Sequence, residues 1–131
     1  MNRIEIIQNV YGLFAKGDVP AMMELLADDV RWEWETNDYG IPYLAQRNGK
    51  AAIPAFFQSL GGLEFIKMEP VAFLEGSGHV AAVLREELIV RATGKRFKDV
   101  VIHLWTINDQ GKISGMRHFV DTHAHVLAAT A

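Results

Sequence analysis

The sequence predicts an α+β fold in which helices come first and a run of antiparallel strands follows. In the first part of the chain, apolar residues recur every three to four positions, the period of amphipathic helices. In the second half, apolar segments of strand length are separated by glycine-containing turn sequences. The 131 residues fit one compact domain. We therefore expect a single domain over 1–131, with a strongly curved mixed or antiparallel sheet wrapped on N-terminal helices to form a cone with an internal cavity.

Two helices are predicted at the start of the chain. The first lies within "NRIEIIQNVYGLFAKGD", and Gly17 takes the usual place after a helix end. Asp18 can cap the second, "VPAMMELLA", which has a proline in its first turn. The residues that define the buried face of the first helix are Ile4, Ile7, Tyr11 and Phe14.

The period changes to two in "VRWEWET", which is typical of a half-buried strand. This alternation predicts that Trp32 and Trp34 point to one side and that Glu33 points to the other. The turn-rich "NDYGIPYLAQRNG" then predicts a loop. The next segment, "KAAIPAFFQSL", predicts a helix with Pro54 in its first turn.

Four more strands are predicted, followed by a last short helix. The turn sequences between the strands are "EGSG", "ATGK" and "NDQG". The terminal "THAHVLAA" predicts a helix that begins after a cap at Asp121. The predicted strands are 63–75, 79–91, 96–107 and 112–120.

Composition excludes several classes of function. A net charge of −3 and a pI of about 5.9 provide no field that would attract nucleic acid. No apolar run approaches the roughly 20 residues of a membrane span, and no signal peptide is recognised. The absence of cysteine excludes thiolate metal sites and suits a cytoplasmic location. His123 and His125 would point about 200° apart on a helix, so we expect no metal site and no cofactor.

Three segments carry a resemblance to a known family: "AKGDVPAMMELLADDVRWEWE", "GKAAIPAFFQSL" and "HLWTINDQGKISGMRHFVD". They resemble the nuclear-transport-factor-2-like superfamily, in its branch of ketosteroid isomerases and SnoaL-like polyketide cyclases. The resemblance covers nearly the whole chain and implies the cone fold. It implies less about activity, because the same fold serves isomerases, cyclases, hydrolases and non-catalytic modules.

The catalytic residues of ketosteroid isomerases are not kept. At the position of their tyrosine the chain has Val10, with Tyr11 one residue out of phase. Trp34 replaces their general-base aspartate, and His103 replaces their second oxyanion donor. The steroid mechanism is therefore not implied. Phe56 does match an aromatic residue that lines the ligand site in that family.

The polyketide cyclases resemble the chain more closely. They carry a histidine in an "HL" pair, and His103 with its following leucine matches it. Where they and limonene-epoxide-hydrolase-like proteins place a catalytic aspartate, this chain has His118. The hydrolases also use a carboxylate that corresponds to Glu86, or to Glu87 if the strand register differs by one residue.

The last hairpin brings the two histidines together on geometry alone. With a two-residue tip in "NDQG", His103 lies opposite Met116 and Val101 lies opposite His118. The histidines are then diagonal neighbours on one face. Because histidine ionises near neutral pH, His118 is predicted to act as an acid or base, with His103 orienting it or donating to a developing enolate oxygen.

Two alternatives stay open for these groups. The histidines can be partly buried residues that bond to backbone carbonyls or water, and Glu86 can lie on the outer face of its strand. Otherwise Glu86 is a carboxylate among aliphatic residues, which requires a partner or a proton. We name His118, His103 and Glu86 as the catalytic residues to test.

A hydrophobic small molecule is the expected ligand, and a non-catalytic binding or association module is the competing interpretation. Core packing would produce a similar aromatic content. The apolar outer face of the sheet, which includes Val100 and Ile102, predicts a homodimer formed through the sheet. The side chains expected to contact the ligand are Trp32, Trp34, Tyr43, Phe56, Asp99, Trp105, Met116 and Val120.

Overall fold

The computed structural model describes residues 1–131, which form four α-helices and six β-strands. The helices are α1 (Arg3–Ala15), α2 (Val19–Glu24), α3 (Ile53–Ser59) and α4 (Thr122–Ala129). The strands are β1 (Leu26–Trp32), β2 (Arg47–Asn48), β3 (Leu63–Gly76), β4 (His79–Val90), β5 (Arg96–Ile107) and β6 (Ile113–Phe119). Short 3₁₀ turns occupy Pro42–Leu44, Lys50–Ala52 and Leu60–Gly62.

The helix ends follow the predicted capping chemistry. The side chain of Asn2 accepts a hydrogen bond from the backbone N–H of Glu5, and the carboxylate of Glu5 accepts one from the backbone N–H of Asn2, which forms a capping box. Gly17 follows α1 in the left-handed conformation (φ +70°), which glycine adopts without strain. Asp18 caps α2 and Asp121 caps α4, as expected.

The six strands form one curved, open sheet in the order β2-β1-β6-β5-β4-β3. Only β1 and β6 pair in parallel, so the sheet is mixed, and the predicted α+β cone is confirmed. Register shifts in the β3–β4 pair interrupt its regularity, and such bulges bend a sheet. The inner face packs against α1 and α3 around buried residues such as Ile7, Ile53, Leu84 and Val101.

The first strand is shorter than the alternation predicts. It ends at Trp32, because Glu33 adopts a left-handed backbone conformation (φ +55°) that an extended strand cannot contain. The period of two is therefore broken after Trp32. Glu33 points inward and Trp34 leaves the inner face, the reverse of the prediction.

The β5–β6 register also differs from the predicted one, by two residues. His103 pairs directly with His118, and Trp105 pairs with Met116. The connection between the strands is longer than a two-residue tip and contains a bulge next to Ile107. A shift of two residues keeps the same side chains on the same face.

The outer face of the sheet exposes large apolar side chains. Val100 is 63% exposed, Phe119 44% and Ile102 40%. None of the helices is both long enough and apolar enough to cross a lipid bilayer.

Candidate active site

A cavity of about 90 Å³ lies between the helices and the inner face of the sheet. Of the 22 residues that line it, 19 are hydrophobic. The three others are Glu86, His103 and His118, which are the residues predicted from the sequence to be catalytic. The cavity is smaller than the ~300–1,000 Å³ of pockets for drug-sized ligands, so it favours a compact, mostly apolar molecule.

Six of the eight predicted ligand contacts line this cavity: Trp32, Tyr43, Phe56, Trp105, Met116 and Val120. Trp32 is the centre of the aromatic wall. Its ring lies 5.0 Å from that of Phe56 and 5.7 Å from that of Trp105, measured between centroids. Because such tilted contacts fix the rings against each other, the wall has a defined shape.

Trp34 and Asp99 do not line the cavity, so these two predictions are wrong about position. Trp34 lies outside because the strand ends before it, and its ring lies 5.4 Å from the guanidinium carbon of Arg117. Asp99 lies on the inner face of β5, but α4 covers it. Its carboxylate accepts hydrogen bonds from the backbone N–H of Asp121 and from the ring of His125.

His125 is buried (1% exposed). Both of its ring nitrogens have protein partners. Nδ1 lies 2.7 Å from the hydroxyl of Tyr43, and Nε2 lies 3.1 Å from the carboxylate of Asp99. Burial is the main cause that lowers the pKa of His125, although Asp99 opposes it. The Tyr43–His125–Asp99 cluster joins α4 to β5 and to the loop before α3.

His103 is held by one side chain from outside its own hairpin. Its Nδ1 lies 2.6 Å from the hydroxyl of Tyr11, and that hydroxyl accepts a hydrogen bond of 3.1 Å from the indole N–H of Trp105. Burial raises the pKa of Tyr11, so its phenol keeps a proton to donate. We therefore assign Nδ1 of His103 as the acceptor and Nε2 as the protonated nitrogen.

The free nitrogen of His103 has no hydrogen-bond partner in the protein, although it is buried. Burial, followed by repulsion from His118, holds the pKa of His103 well below its usual value, so the ring is neutral at pH 7. A buried N–H without a partner is costly. Because His103 lines the cavity, this N–H is available to donate a hydrogen bond there.

His118 has a different kind of partner. Both its backbone N–H (2.9 Å) and its ring Nδ1 bond to the same carboxylate oxygen of Glu33. Glu33 is 1% exposed, and the side chain of His118 is 14% exposed. A carboxylate accepts hydrogen bonds, so Nδ1 of His118 is the donor and Nε2 is left to the cavity.

The two histidines face each other across the β5–β6 pair. Their ring centroids are 4.5 Å apart and the rings are nearly perpendicular, at 85°. With the protons assigned as above, His103 offers a donor and His118 an acceptor. The pair can therefore give one hydrogen bond to a ligand and take one proton from it.

Glu86 is the third polar group of the cavity. It points inward with Leu84 and Leu88, so the alternative register that would place Glu87 inside is not adopted. Its carboxylate lies 3.9 Å from Nε2 of His103. Burial raises the pKa of Glu86 to about 7, with His118 lowering it and Asp99 raising it. It is therefore partly protonated at neutral pH and can donate or accept a proton.

A second cavity of about 140 Å³ borders the other side of His118. Glu33, Thr36, Arg117 and Thr122 contribute polar groups to its wall. His118 is thus placed between an apolar cavity and a polar one. No group of three or more histidine, aspartate or glutamate side chains is arranged to hold a metal ion.

Tyr11 and Glu33 are the site residues that sequence reasoning missed. A signal existed for Tyr11, because its hydroxyl lies on the predicted buried face of the first helix and needs a partner there. Glu33 had no such signal. The alternation assigned it to the opposite face, and its left-handed backbone is not visible in the pattern of residue types.

The fold and cavity define a member of the NTF2-like class of α+β cones. Residues 7–116 match the family model of the SnoaL-like domain, and the chain belongs to this family. A search of curated proteins finds no match.

Solved structures support the same classification. An NTF2-like protein from Burkholderia thailandensis is 25% identical, with a TM-score of 0.85 over 100% of this chain and 99% of that one. TerC, co-crystallised with polyporic acid, is 25% identical, with a TM-score of 0.76 over 96% of each chain. A protein from Mesorhizobium loti described as a candidate SnoaL-like polyketide cyclase is 22% identical, with a TM-score of 0.72 over 91% of this chain and 99% of that one.

Proposed function

We propose that the protein catalyses cofactor-independent proton transfer, of the isomerase or cyclase type, on a compact, ring-containing carbonyl compound. The observation that carries this proposal is the facing pair of His103 and His118 in an otherwise apolar cavity. An apolar wall with a few convergent polar groups is the usual form of a small-molecule site. The N–H of His103 at Nε2 and the Nε2 atom of His118 face the cavity and supply the donor and the acceptor that enolisation requires.

In the proposed reaction, Nε2 of His118 removes a proton from the carbon next to the substrate carbonyl. The electron pair of that C–H bond forms the carbon–carbon double bond of an enolate, and the carbonyl oxygen takes up the negative charge. The N–H of His103 donates to this oxygen. The imidazolium of His118 then returns its proton to the same carbon or to a conjugated one, which completes an isomerisation without a cofactor.

Glu86 has a supporting role in this scheme. Its carboxyl lies beside Nε2 of His103, and in its protonated form it can give a second hydrogen bond to the enolate oxygen. With a pKa of about 7, this form is populated at neutral pH. The polar cavity behind His118 supports proton exchange between His118 and solvent after release of the product.

Two relatives favour a ring-containing ligand. TerC was crystallised with polyporic acid, and the Mesorhizobium loti protein is described as a candidate polyketide cyclase. The aromatic wall of Trp32, Phe56 and Trp105 suits such a ring. A ligand-binding module without catalysis is the second candidate function, favoured by the predominance of hydrophobic lining residues.

Exchange of carbon-bound hydrogen in D₂O tests the proposal without knowledge of the natural substrate. With 2-tetralone as an enolisable probe, the wild type is expected to accelerate deuterium uptake next to the carbonyl, measured by NMR. His118→Ala is expected to lower this rate by about 10²-fold or more, because the base is lost. The matched control is His123→Ala, at an exposed position outside the cavity, which is expected to keep the wild-type rate.

Two results would contradict the enzyme proposal. Full exchange activity in His118→Ala would remove His118 as the base. Binding of 2-tetralone to the wild type, with no faster exchange than in buffer, would favour the non-catalytic module.

We also propose a homodimer that forms through the outer face of the sheet and a cytoplasmic location, which the cysteine-free composition suits. Exposed Val100, Ile102 and Phe119 support the dimer, since clustered apolar side chains usually mark an interface. Val100→Lys is expected to halve the mass measured by light scattering. Leu127→Lys, at an exposed apolar residue of α4, is the control. A monomer mass for the wild type would contradict the dimer.

A further inference from the structure

We infer that Glu33 is a positioning residue that fixes His118 in the tautomer with the proton on Nδ1, and so makes its Nε2 the base of the cavity. The inference rests on the proposed function for the role of His118. The tautomer itself is a property of the ligand-free protein and can be tested without a substrate.

The backbone around Glu33 is arranged to bring its carboxylate inward. The N–H of Glu33 donates to the carbonyl of Met116 at 2.7 Å, which extends the β1–β6 pairing by one residue. The chain then enters the left-handed region (φ +55°), which is strained for a non-glycine residue. A strand that simply continued would direct this side chain away from the cavity. The strained conformation therefore has a consequence at the site, since it turns the carboxylate towards His118.

The contacts of the carboxylate settle the direction of the hydrogen bonds. One oxygen of Glu33 accepts both the backbone N–H and the ring Nδ1 of His118. The backbone bond fixes the oxygen relative to β6, so the ring is held by an acceptor of defined position. Free histidine has no comparable constraint on its tautomer. At this residue the carboxylate selects Nδ1–H and leaves the lone pair of Nε2 for the cavity.

The same carboxylate stabilises the product of proton abstraction. When His118 takes a proton at Nε2, the imidazolium keeps its Nδ1–H bond to Glu33, now as an ion pair. Glu33 is 1% exposed, so this charge is screened little by solvent. Glu33 does not line the apolar cavity and acts through His118.

His103 shows the opposite arrangement and serves as an internal comparison. Its Nδ1 accepts from the phenol of Tyr11, so its proton is on Nε2. A phenol donor and a carboxylate acceptor thus impose opposite tautomers on two histidines that face each other. Tyr11 of α1 and Glu33 after β1 are distant from the hairpin in sequence, and together they leave one donor and one acceptor facing the cavity.

Long-range ¹H–¹⁵N NMR spectra of the full chain, recorded without ligand at mildly alkaline pH, test the inference. We expect the wild type to show protonated Nδ1 and unprotonated Nε2 at His118, and the reverse at His103. Glu33→Gln keeps an acceptor oxygen and is expected to keep the pattern of His118. Glu33→Met removes the acceptor at similar size and is expected to lose that pattern, with His103 unchanged.

Tyr11→Phe is the matched control, which is expected to alter the pattern of His103 and to leave that of His118 as in the wild type. A wild-type His118 with its proton mainly on Nε2 would overturn the inference, and this result needs no variant to fold. An unchanged Nδ1–H pattern in Glu33→Met would also overturn it. Failure here leaves the exchange test of His118 valid, and failure of the exchange test leaves this tautomer result valid.

Discussion

The molecule contains two buried histidine clusters, and they differ in how completely the protein satisfies them. In the cluster beneath α4, both ring nitrogens of His125 have partners, the hydroxyl of Tyr43 and the carboxylate of Asp99. In the cavity, Nε2 of His103 is buried without a partner, and Nε2 of His118 is not among the bonded atoms of the ring. In one cluster the protein bonds both ring nitrogens, whereas in the other the Nε2 atoms face the cavity without a bond to the protein.

Replacing a histidine by leucine in each cluster tests this contrast, and the largest expected effect is on the exchange rate. His103→Leu is expected to lower the 2-tetralone exchange rate by about 10²–10³-fold, the usual effect of losing one donor to an oxyanion. His125→Leu is expected to leave the rate per folded molecule near the wild-type value. A similar loss in both variants would show that the two clusters do not have separate roles.

The free energy of unfolding is expected to fall more in His125→Leu than in His103→Leu, the opposite of the order for the exchange rate. His125→Leu leaves buried Asp99 and the hydroxyl of Tyr43 without a shared partner, so the free energy of unfolding is expected to fall by about 3 kcal/mol. His103→Leu removes one hydrogen bond to Tyr11 and one unpaired N–H, so a loss of about 1 kcal/mol is expected. Urea unfolding of the two variants measures both values. Equal losses would contradict the structural role of His125.

Glu86 and the buried histidines are expected to change the free energy of unfolding in opposite directions as the pH rises. Glu86 titrates at about 7 in the folded protein, against an ordinary value of 4.5. A raised pKa gives stability that is complete below 4.5 and is lost as the pH rises through 7. The Glu86 carboxyl is therefore expected to contribute a loss on the order of 3 kcal/mol over this interval, measured as the difference between the wild type and Glu86→Gln. Glu86→Gln, compared by urea unfolding at several pH values, is expected to abolish this loss. An unchanged profile would place the titration elsewhere.

The smallest expected effect is on the free energy of unfolding below pH 6.5. Burial lowers the pKa of both His103 and His125, so their contribution is present above 6.5 and is lost as the pH falls through their folded values. In the Glu86→Gln background, the free energy of unfolding is expected to fall as the pH drops below 6.5. Adding His125→Leu is expected to flatten that fall. A slope that is the same with and without His125 would contradict its assignment as a buried neutral group.

Much of the fold could be predicted because its signals are local. The capping residues Asp18 and Asp121, the glycine after the first helix and the turns between the strands depend only on neighbouring residues. All four predicted long strands match within one residue at each end, and 96–107 matches at both ends. The inward position of His103 and His118 also follows from the period of two, which a two-residue change of register does not alter.

The predictions that failed depend on contacts between distant segments. Trp34 was placed inside because alternation was continued through Glu33, whose left-handed backbone ends the strand. Asp99 was expected to contact the ligand, but α4 folds over β5 and buries its side chain together with His125. Tyr11 reaches His103 across 92 positions of the chain. No pattern within a single element contains this information.

Changes in the NMR shifts of the ring N–H protons on ligand addition are the most direct test of the central claim. That claim is that His103 and His118 contact the ligand and that His125 does not. On addition of 2-tetralone to the wild type, the Nε2–H signal of His103 is expected to move downfield as it donates to the carbonyl oxygen. The ring signals of His125 are expected to stay in place. A shift at His125 with none at His103 would contradict the account.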